Sequence, residues 1–245
     1  RTSFRRNTMQ RGDALDLLRS LPDGCTPLVF FDPQFRGVLD KLAYGNEGAR
    51  QKERCLLPQM TQEFIDACTR EAARVLRPGG YLLRWTDTFH LCEAEHLRVA
   101  QPGERCSVCK AKFDQKCRVG NCRTLKCVGA IAWDNLGFGN GYRERRCGSY
   151  LLELQKPPTK ARATWQDHGI RDRFKEKIDF KRYDRQRYPH VKPIGLISRL
   201  IGAVTEPGDL VVDPAAGSFT VMHAAVELGR EFIGCDIQAP QRAKA

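Results

Sequence analysis

The sequence predicts an α/β fold built on a doubly wound, mostly parallel sheet with an antiparallel hairpin at one edge. Three observations point there. Short apolar runs such as LVFF (28–31) and LVVD (210–213) alternate with amphipathic helical stretches, the rhythm of strands buried between two helical layers. Several of these runs end in an acid, and the carboxyl ends of such strands are where open α/β sheets hold their ligands. VGAIAW (128–133) and SYLLELQ (149–155) follow one another without an intervening helix, which reads as a hairpin rather than a crossover.

Taken in order, residues 9–24 give a short strand approach at Gly12 and Asp13, then a brief helix with Leu15, Leu17, Leu18 and Leu21 apolar, stopped by Pro22-Asp23-Gly24. The strand 28–31 runs into Asp32, Pro33, Gln34 and Phe35: an acid, a rigid turn and an aromatic face, a clamp suited to a planar polar group. A long loop to about Pro58 fits a lid or binding loop. Residues 60–76 predict a helix capped by Thr61 and ended by Pro78-Gly79-Gly80, followed by strand YLLRW (81–85) and a helix over 88–99. After the hairpin and a charged stretch come helix 193–204, strand 210–213, helix 218–228 and strand 231–236.

At 245 residues the chain suits one main domain, 1–245, with small appendages. Its 41 Lys+Arg against 29 Asp+Glu leave a net charge of +12, which favours a polyanionic partner, nucleic acid first. The opening RTSFRRNTMQ lacks a signal-peptide core and no apolar run reaches the ~20 residues of a membrane span. The expectation is a cytoplasmic protein of bacterial or phage type that uses no membrane, trimmed at its start, since the sequence begins at Arg1 and not Met. Its 11 cysteines then read as thiols or metal ligands.

Two segments break the α/β rhythm. Residues 101–127 are polar and carry Cys106, Cys109, Cys117 and Cys122 spaced C-x2-C-x7-C-x4-C; thiolates at that spacing suit a structural zinc, with a loop of free thiols as the alternative. Residues 156–190 interleave Lys and Arg with Trp165, Phe174, Phe180, Tyr183 and Tyr188, a composition fit for phosphates and stacked bases, or for a solvated linker.

Asp213, Asp236, Asp13 and Asp32 each follow a strand-like run, and Asp236 lies 23 residues after Asp213, near the ~20-residue offset of ribose-binding acids. The chain ends soon after Asp236 while the amino terminus supplies two further acid-ended strands. If the order is circularly permuted, all four acids line one rim of one sheet. Asp13 also stands where an acid would cap the following helix.

Here the motifs resemble a known family. DPAAGSFT (213–220) is similar to the DPFxGSGT cofactor loop of S-adenosylmethionine-dependent DNA methyltransferases, and DPQF (32–35) to their DPPY catalytic tetrad. The tetrad preceding the cofactor loop is the permuted order of the β class, which methylates exocyclic amino groups. PHVKP (189–193), LGREFIGCDI (228–237) and RGD (11–13) resemble further family elements. Gln34 and Phe35 replace the tetrad's second proline and its tyrosine, and Phe219 stands in the cofactor loop where the family often has a small residue.

The resemblance implies a Rossmann-like fold and a methyl transfer from S-adenosylmethionine to N6 of a flipped adenine in DNA. The N4 of cytosine, or a catalytically weak zinc-containing DNA-binding relative, are the alternatives. It implies Asp32, Pro33, Gln34 and Phe35 as catalytic, with Asp13, Lys192, Asp213, Pro214, Ala215, Gly217, Ser218, Phe219 and Asp236 around the cofactor. Residues 156–190 fall where the class places target recognition. A homodimer and a cognate restriction enzyme are the partners such relatives have.

Overall fold

The computed structural model describes residues 4–34, 60–86, 91, 125–137, 147–179 and 191–238. Helix α1 (Ala14–Ser20) begins where the Asp13 carboxylate accepts hydrogen bonds from the amides of Leu15 and Asp16, and it buries Ala14, Leu17 and Leu18. Strand β1 (Thr26–Phe31) is buried along its whole length, as a run of apolar residues must be when both sheet faces are covered. Helix α2 (Gln62–Val75) is capped by Thr61 and passes directly into β2 (Leu76–Thr86). Strands β3 (Lys126–Asp134) and β4 (Gly148–Gln155) precede a single turn, α3 (Ala161–Thr164), and a short strand, β5 (Arg173–Lys175). The chain closes with α4 (Ile194–Val204), β6 (Leu210–Asp213), α5 (Thr220–Glu227) and β7 (Glu231–Gly234).

These strands form one sheet in the order β5-β3-β4-β2-β1-β6-β7. Strand β1 runs parallel to β2 and β6, β6 to β7, and β3 to β5, while β4 is antiparallel to both β2 and β3. Among the described strands, β4 alone therefore runs against the others. Alternation along β1 divides the interior in two. Leu28 and Phe30 face a core shared with α4 and α5, and Val29 and Phe31 face one shared with α1 and α2. This is the doubly wound architecture that the alternating pattern predicts. An isolated parallel bridge between Arg11 and Asp236 lays the segment before α1 beside the end of β7, at the edge of the sheet beyond it.

Three readings need correction. Pro78-Gly79-Gly80 does not separate a helix from a later strand: Thr26 pairs with Leu76 and Leu28 with Tyr81, so residues 77–80 bulge out of a strand already begun, with Gly79 at φ +83°. The strand approaching Asp13 is reduced to the single Arg11 bridge. The described part of the charged stretch after β4, residues 156–179, is built into the fold and is no solvated linker: Trp165, Ile170, Phe174 and Ile178 are partly buried against the core. Its first charge is also structural. Lys156 is fully buried, and its Nζ donates to the carbonyl of Leu76 at 2.5 Å and that of Arg74 at 3.4 Å, satisfying carbonyls at the end of α2. The expected helix over 88–99, apart from Leu91, and the four proposed zinc ligands lie outside the described residues. Residues 126 and 127 of the proposed cysteine-rich insertion belong to β3.

Candidate active site

Parallel pairing puts the carboxyl ends of β1, β6 and β7 on one rim. Asp32 is the first residue beyond β1, Asp213 the last of β6, Asp236 the second beyond β7, and Asp13 follows the Arg11 bridge. The four acids of the sequence thus do share a rim, at the point where β6 has neighbours leading in opposite directions around the sheet.

The loop after β6 is shaped by its backbone. The Asp213 carboxylate accepts from the Ala215 amide at 3.2 Å, and the Ala216 amide donates to the Cys235 carbonyl at 3.0 Å. Gly217 takes φ +48°, donates its N–H to Asp236 Oδ2 at 3.1 Å, and has no atom within 4 Å of the place a Cβ would occupy. The backbone there lies open to a ligand. Asp213 is 5% exposed. Burial pushes its carboxyl up to about 8; Asp32 and Asp236 push the same way, while the Ala215 N–H and Lys192 oppose.

Two cavities adjoin this loop and share Ala215. One, of about 50 Å³, is lined by Asp32, Trp85, Lys192, Asp213, Gly217 and Ser218, among others. The second, of about 310 Å³, is walled by Met60, Phe64, Pro214 and Ile237 with Asp13 and Asp236 at its edge. The first is small and charged. The second is apolar with carboxylates, the chemistry that holds a flat heterocycle and its hydroxyls. Asp13 is therefore both a helix cap and a wall of this cavity, one reading not displacing the other.

At the head of the smaller cavity, Lys192 Nζ forms an ion pair with Asp32 Oδ2 and lies 5.3 Å from the centroid of the Trp85 ring. Trp85 is packed edge-on against Trp133 at 5.9 Å. Trp133 Nε1 donates to the Glu176 carbonyl at 2.9 Å, and the Glu176 carboxylate accepts from the amides of Gly195 and Leu196 at the start of α4, just beyond Lys192. Lys192 is thereby held from two directions. Pro33 is buried, and the Gln34 carbonyl accepts from the Met60 amide at 2.9 Å, tying the exit of β1 to the segment that supplies Met60 and Phe64. Phe35 lies outside the described residues.

Phe219 is placed differently from its neighbours in the loop. It adopts a left-handed conformation, φ +56°, is fully buried, and sets its ring edge-on to Phe232 at 6.3 Å. It lines neither cavity. Conversely, sequence reasoning missed Trp85, which lines the smaller cavity, Met60 and Phe64, which line the larger, and Glu176, which anchors the start of α4 just beyond Lys192. Only Trp85 had a usable signal, the last aromatic of a strand expected near the rim.

A doubly wound sheet with a glycine-bearing loop and acids at its switch point is the arrangement of α/β proteins that bind a nucleoside-containing cofactor at the carboxyl rim of the sheet. A family model described as DNA methylase, for the N6 and N4 methyltransferases, matches residues 139–242. The type II methyltransferase M.HhaII of Haemophilus parahaemolyticus is 41% identical over 232 residues, covering 94% of this chain and 91% of that one. Among solved structures, the M1.HpyAVI–SAM complex aligns with a TM-score of 0.59 at 16% identity, covering 94% of this chain and 92% of that one. The cytosine-N4-specific PvuII DNA methyltransferase aligns with a TM-score of 0.59 at 19% identity, covering 94% and 82%. These two likenesses are of fold. The likeness to M.HhaII is of sequence along nearly the whole chain, and this protein belongs to the family of S-adenosylmethionine-dependent DNA amino-methyltransferases. Among the described residues, no helix is long and apolar enough to cross a membrane.

Proposed function

We propose that the protein methylates the N6 amino group of adenine in DNA, with Asp32 as the catalytic carboxylate. The observation that carries this reading is the position of Asp32: one residue beyond β1, on the wall of the cavity that Asp213, Gly217 and Ser218 also line. The residues suit the cofactor. Asp13, Pro214 and Asp236 border a cavity with apolar walls for its nucleoside, and Asp213, Ala215, Gly217 and Ser218 border a charged one for its methionine end. When bound, S-adenosylmethionine supplies a methyl group made electrophilic by the sulfonium.

The amino group of adenine is a poor nucleophile because its lone pair is delocalised into the ring. Asp32 accepts one of its hydrogens and the Pro33 carbonyl the other, which withdraws the nitrogen from ring conjugation and aims its lone pair at the methyl. The proton released passes to Asp32 or to water. Lys192 holds the carboxylate in place through the ion pair, and positioning with fixed charge carries the catalysis. Extrusion of the base from the duplex costs a few kcal/mol, which a stacking ring at Phe35 offsets in part. An Asp at the head of the tetrad resembles the adenine enzymes and favours N6. The alternative, N4 of cytosine, has in its favour the fold shared with a cytosine-N4-specific enzyme.

The name of M.HhaII, a type II methyltransferase, supports a cognate restriction enzyme as partner; a homodimer is proposed on the resemblance to the class alone. Asp32→Asn tests the mechanism. Transfer should fall by roughly 10²–10³-fold with cofactor binding retained. A variant as active as the parent removes Asp32 from the chemistry.

A further inference from the structure

The described part of the basic segment, residues 156–179, carries charges that the site does not use. From residue 173 the chain alternates: Arg173, Lys175 and Lys177 are exposed, while Phe174, Glu176 and Ile178 are turned inward. The inward set is fixed. Phe174 and Ile178 pack on the core, and the Glu176 carboxylate caps α4 while its amide donates to the Asp134 carbonyl at 3.0 Å. The outward set therefore stands on a fixed backbone, so that only side-chain freedom is lost when it meets a ligand.

Its placement is specific. Strand β5 is parallel to β3 and so climbs toward the rim that holds Asp32. Arg173 pairs with Ala132, Ala132 with Tyr150, and Tyr150 with Thr86, the residue after Trp85. The row thus begins level with the top of the catalytic cleft and rises past it. Arg173 and Lys175, two residues apart on a strand rising ~3.3 Å per residue, stand roughly 6.6 Å apart, a step comparable to that between successive phosphates of one nucleic-acid strand. The charges are also available. Arg6, Arg74, Arg77 and Arg199 each hold a carboxylate, whereas Arg173, Lys175 and Lys177 make no ion pair among the described residues.

We propose that Arg173, Lys175 and Lys177 form a rail for the DNA backbone along the β5 edge of the sheet, each meeting a phosphate of one strand at the level of Asp32 and four strand spacings, roughly 19 Å, to its side. The rail rests on the reading of the substrate as DNA and deepens it. It contributes affinity and register and reads no base. Through Glu176 it is joined to the start of α4, so a strand seated on it is indexed to the Lys192–Asp32 pair.

The test is binding of the full chain to fluorescently labelled duplexes across a salt series, for the parent and for a variant combining Arg173→Gln, Lys175→Gln and Lys177→Gln. The slope of log K against log salt should fall by roughly 0.9 per lost phosphate contact, about 2 to 3 for the variant, equally on unrelated duplexes and with cofactor binding unchanged. Lys175→Gln alone should lower it by about 1. An unchanged slope and affinity in the folded variants overturns the rail and leaves the three cations as simple protection of an exposed sheet edge. The two readings separate cleanly. A parent that transfers no methyl group but loses slope in the variant keeps the rail and loses the reaction; a parent that methylates DNA with an unaltered slope loses the rail alone.

Discussion

Lys192 and Asp32 are 160 residues apart in the chain, yet the ammonium of one is paired with the carboxylate of the other at the mouth of the cofactor cleft. The Trp85 ring beneath the ammonium and the Glu176 cap at the start of α4 hold it there. In the proposed mechanism Asp32 meets the substrate amine, and the ion pair orients its carboxylate before any substrate arrives, which is what catalysis by positioning needs.

Lys192→Met should therefore act on turnover. A charge-assisted hydrogen bond worth ~1.5–3 kcal/mol is lost, which corresponds to roughly a tenfold to hundredfold fall in kcat. KM for DNA should change far less, and Lys192→Arg should recover part of the loss because it keeps the charge with a different geometry. Steady-state kinetics of the three forms checks this; a change confined to KM would make Lys192 a binding residue only.

Asp213 makes the stability of the ligand-free protein depend on pH. Its carboxyl lies near 3.8 when unfolded and about 8 when folded, so the folded state holds the extra proton between those values. The stabilisation is complete below pH ~4 and is lost as pH rises toward and through 8. Thermal unfolding across this window should show that decline, and Asp213→Asn should flatten it. Cofactor affinity should rise over the same range, since the cationic end of S-adenosylmethionine favours the ionised carboxylate. A parent whose melting temperature shows no such decline would contradict the assignment.

Phe219 carries two opposed demands, a left-handed backbone and a buried ring. Phe219→Ala should cost about 3–5 kcal/mol through the emptied ring site. Phe219→Gly loses the same packing but sheds the left-handed penalty of ~1–2 kcal/mol, so it should be no less stable than the alanine variant. Denaturant unfolding of the pair decides; a glycine variant clearly weaker than alanine would mean the backbone is not strained there.

Much of this was readable in one dimension, for identifiable reasons. The strand ending at Asp32 and the strand ending at Asp213 announce themselves because a fully buried strand is a local pattern, and the acid directly after it has nowhere to be but the rim. The direction of the Phe219 ring is not local: a residue in the middle of a cofactor loop reads as a contact until the left-handed turn is seen to drive it against Phe232. Glu176 reads as one acid in a charge run, because nothing near it in sequence shows that the start of α4 will come within reach of its carboxylate. Met60 and Phe64 reach the larger cavity only through the packing of α2 against α1 and β2. Pro78-Gly79-Gly80 signals a turn correctly, but the turn is a bulge inside a strand.

The spacing of Cys106, Cys109, Cys117 and Cys122 makes a further prediction by composition alone. Protein purified without added metal should contain about one equivalent of zinc. Elemental analysis finding less than about a tenth of an equivalent would leave the four as free thiols.

The reaction proposed for this site is methyl transfer to N6 of adenine in DNA. Its most direct test is to incubate the protein with methyl-labelled S-adenosylmethionine and duplex DNA of mixed sequence, digest the DNA to nucleosides and separate them. The label should elute as N6-methyldeoxyadenosine and be absent with Asp32→Ala. Label on N4-methyldeoxycytidine, or none on any nucleoside from the parent protein, would contradict it.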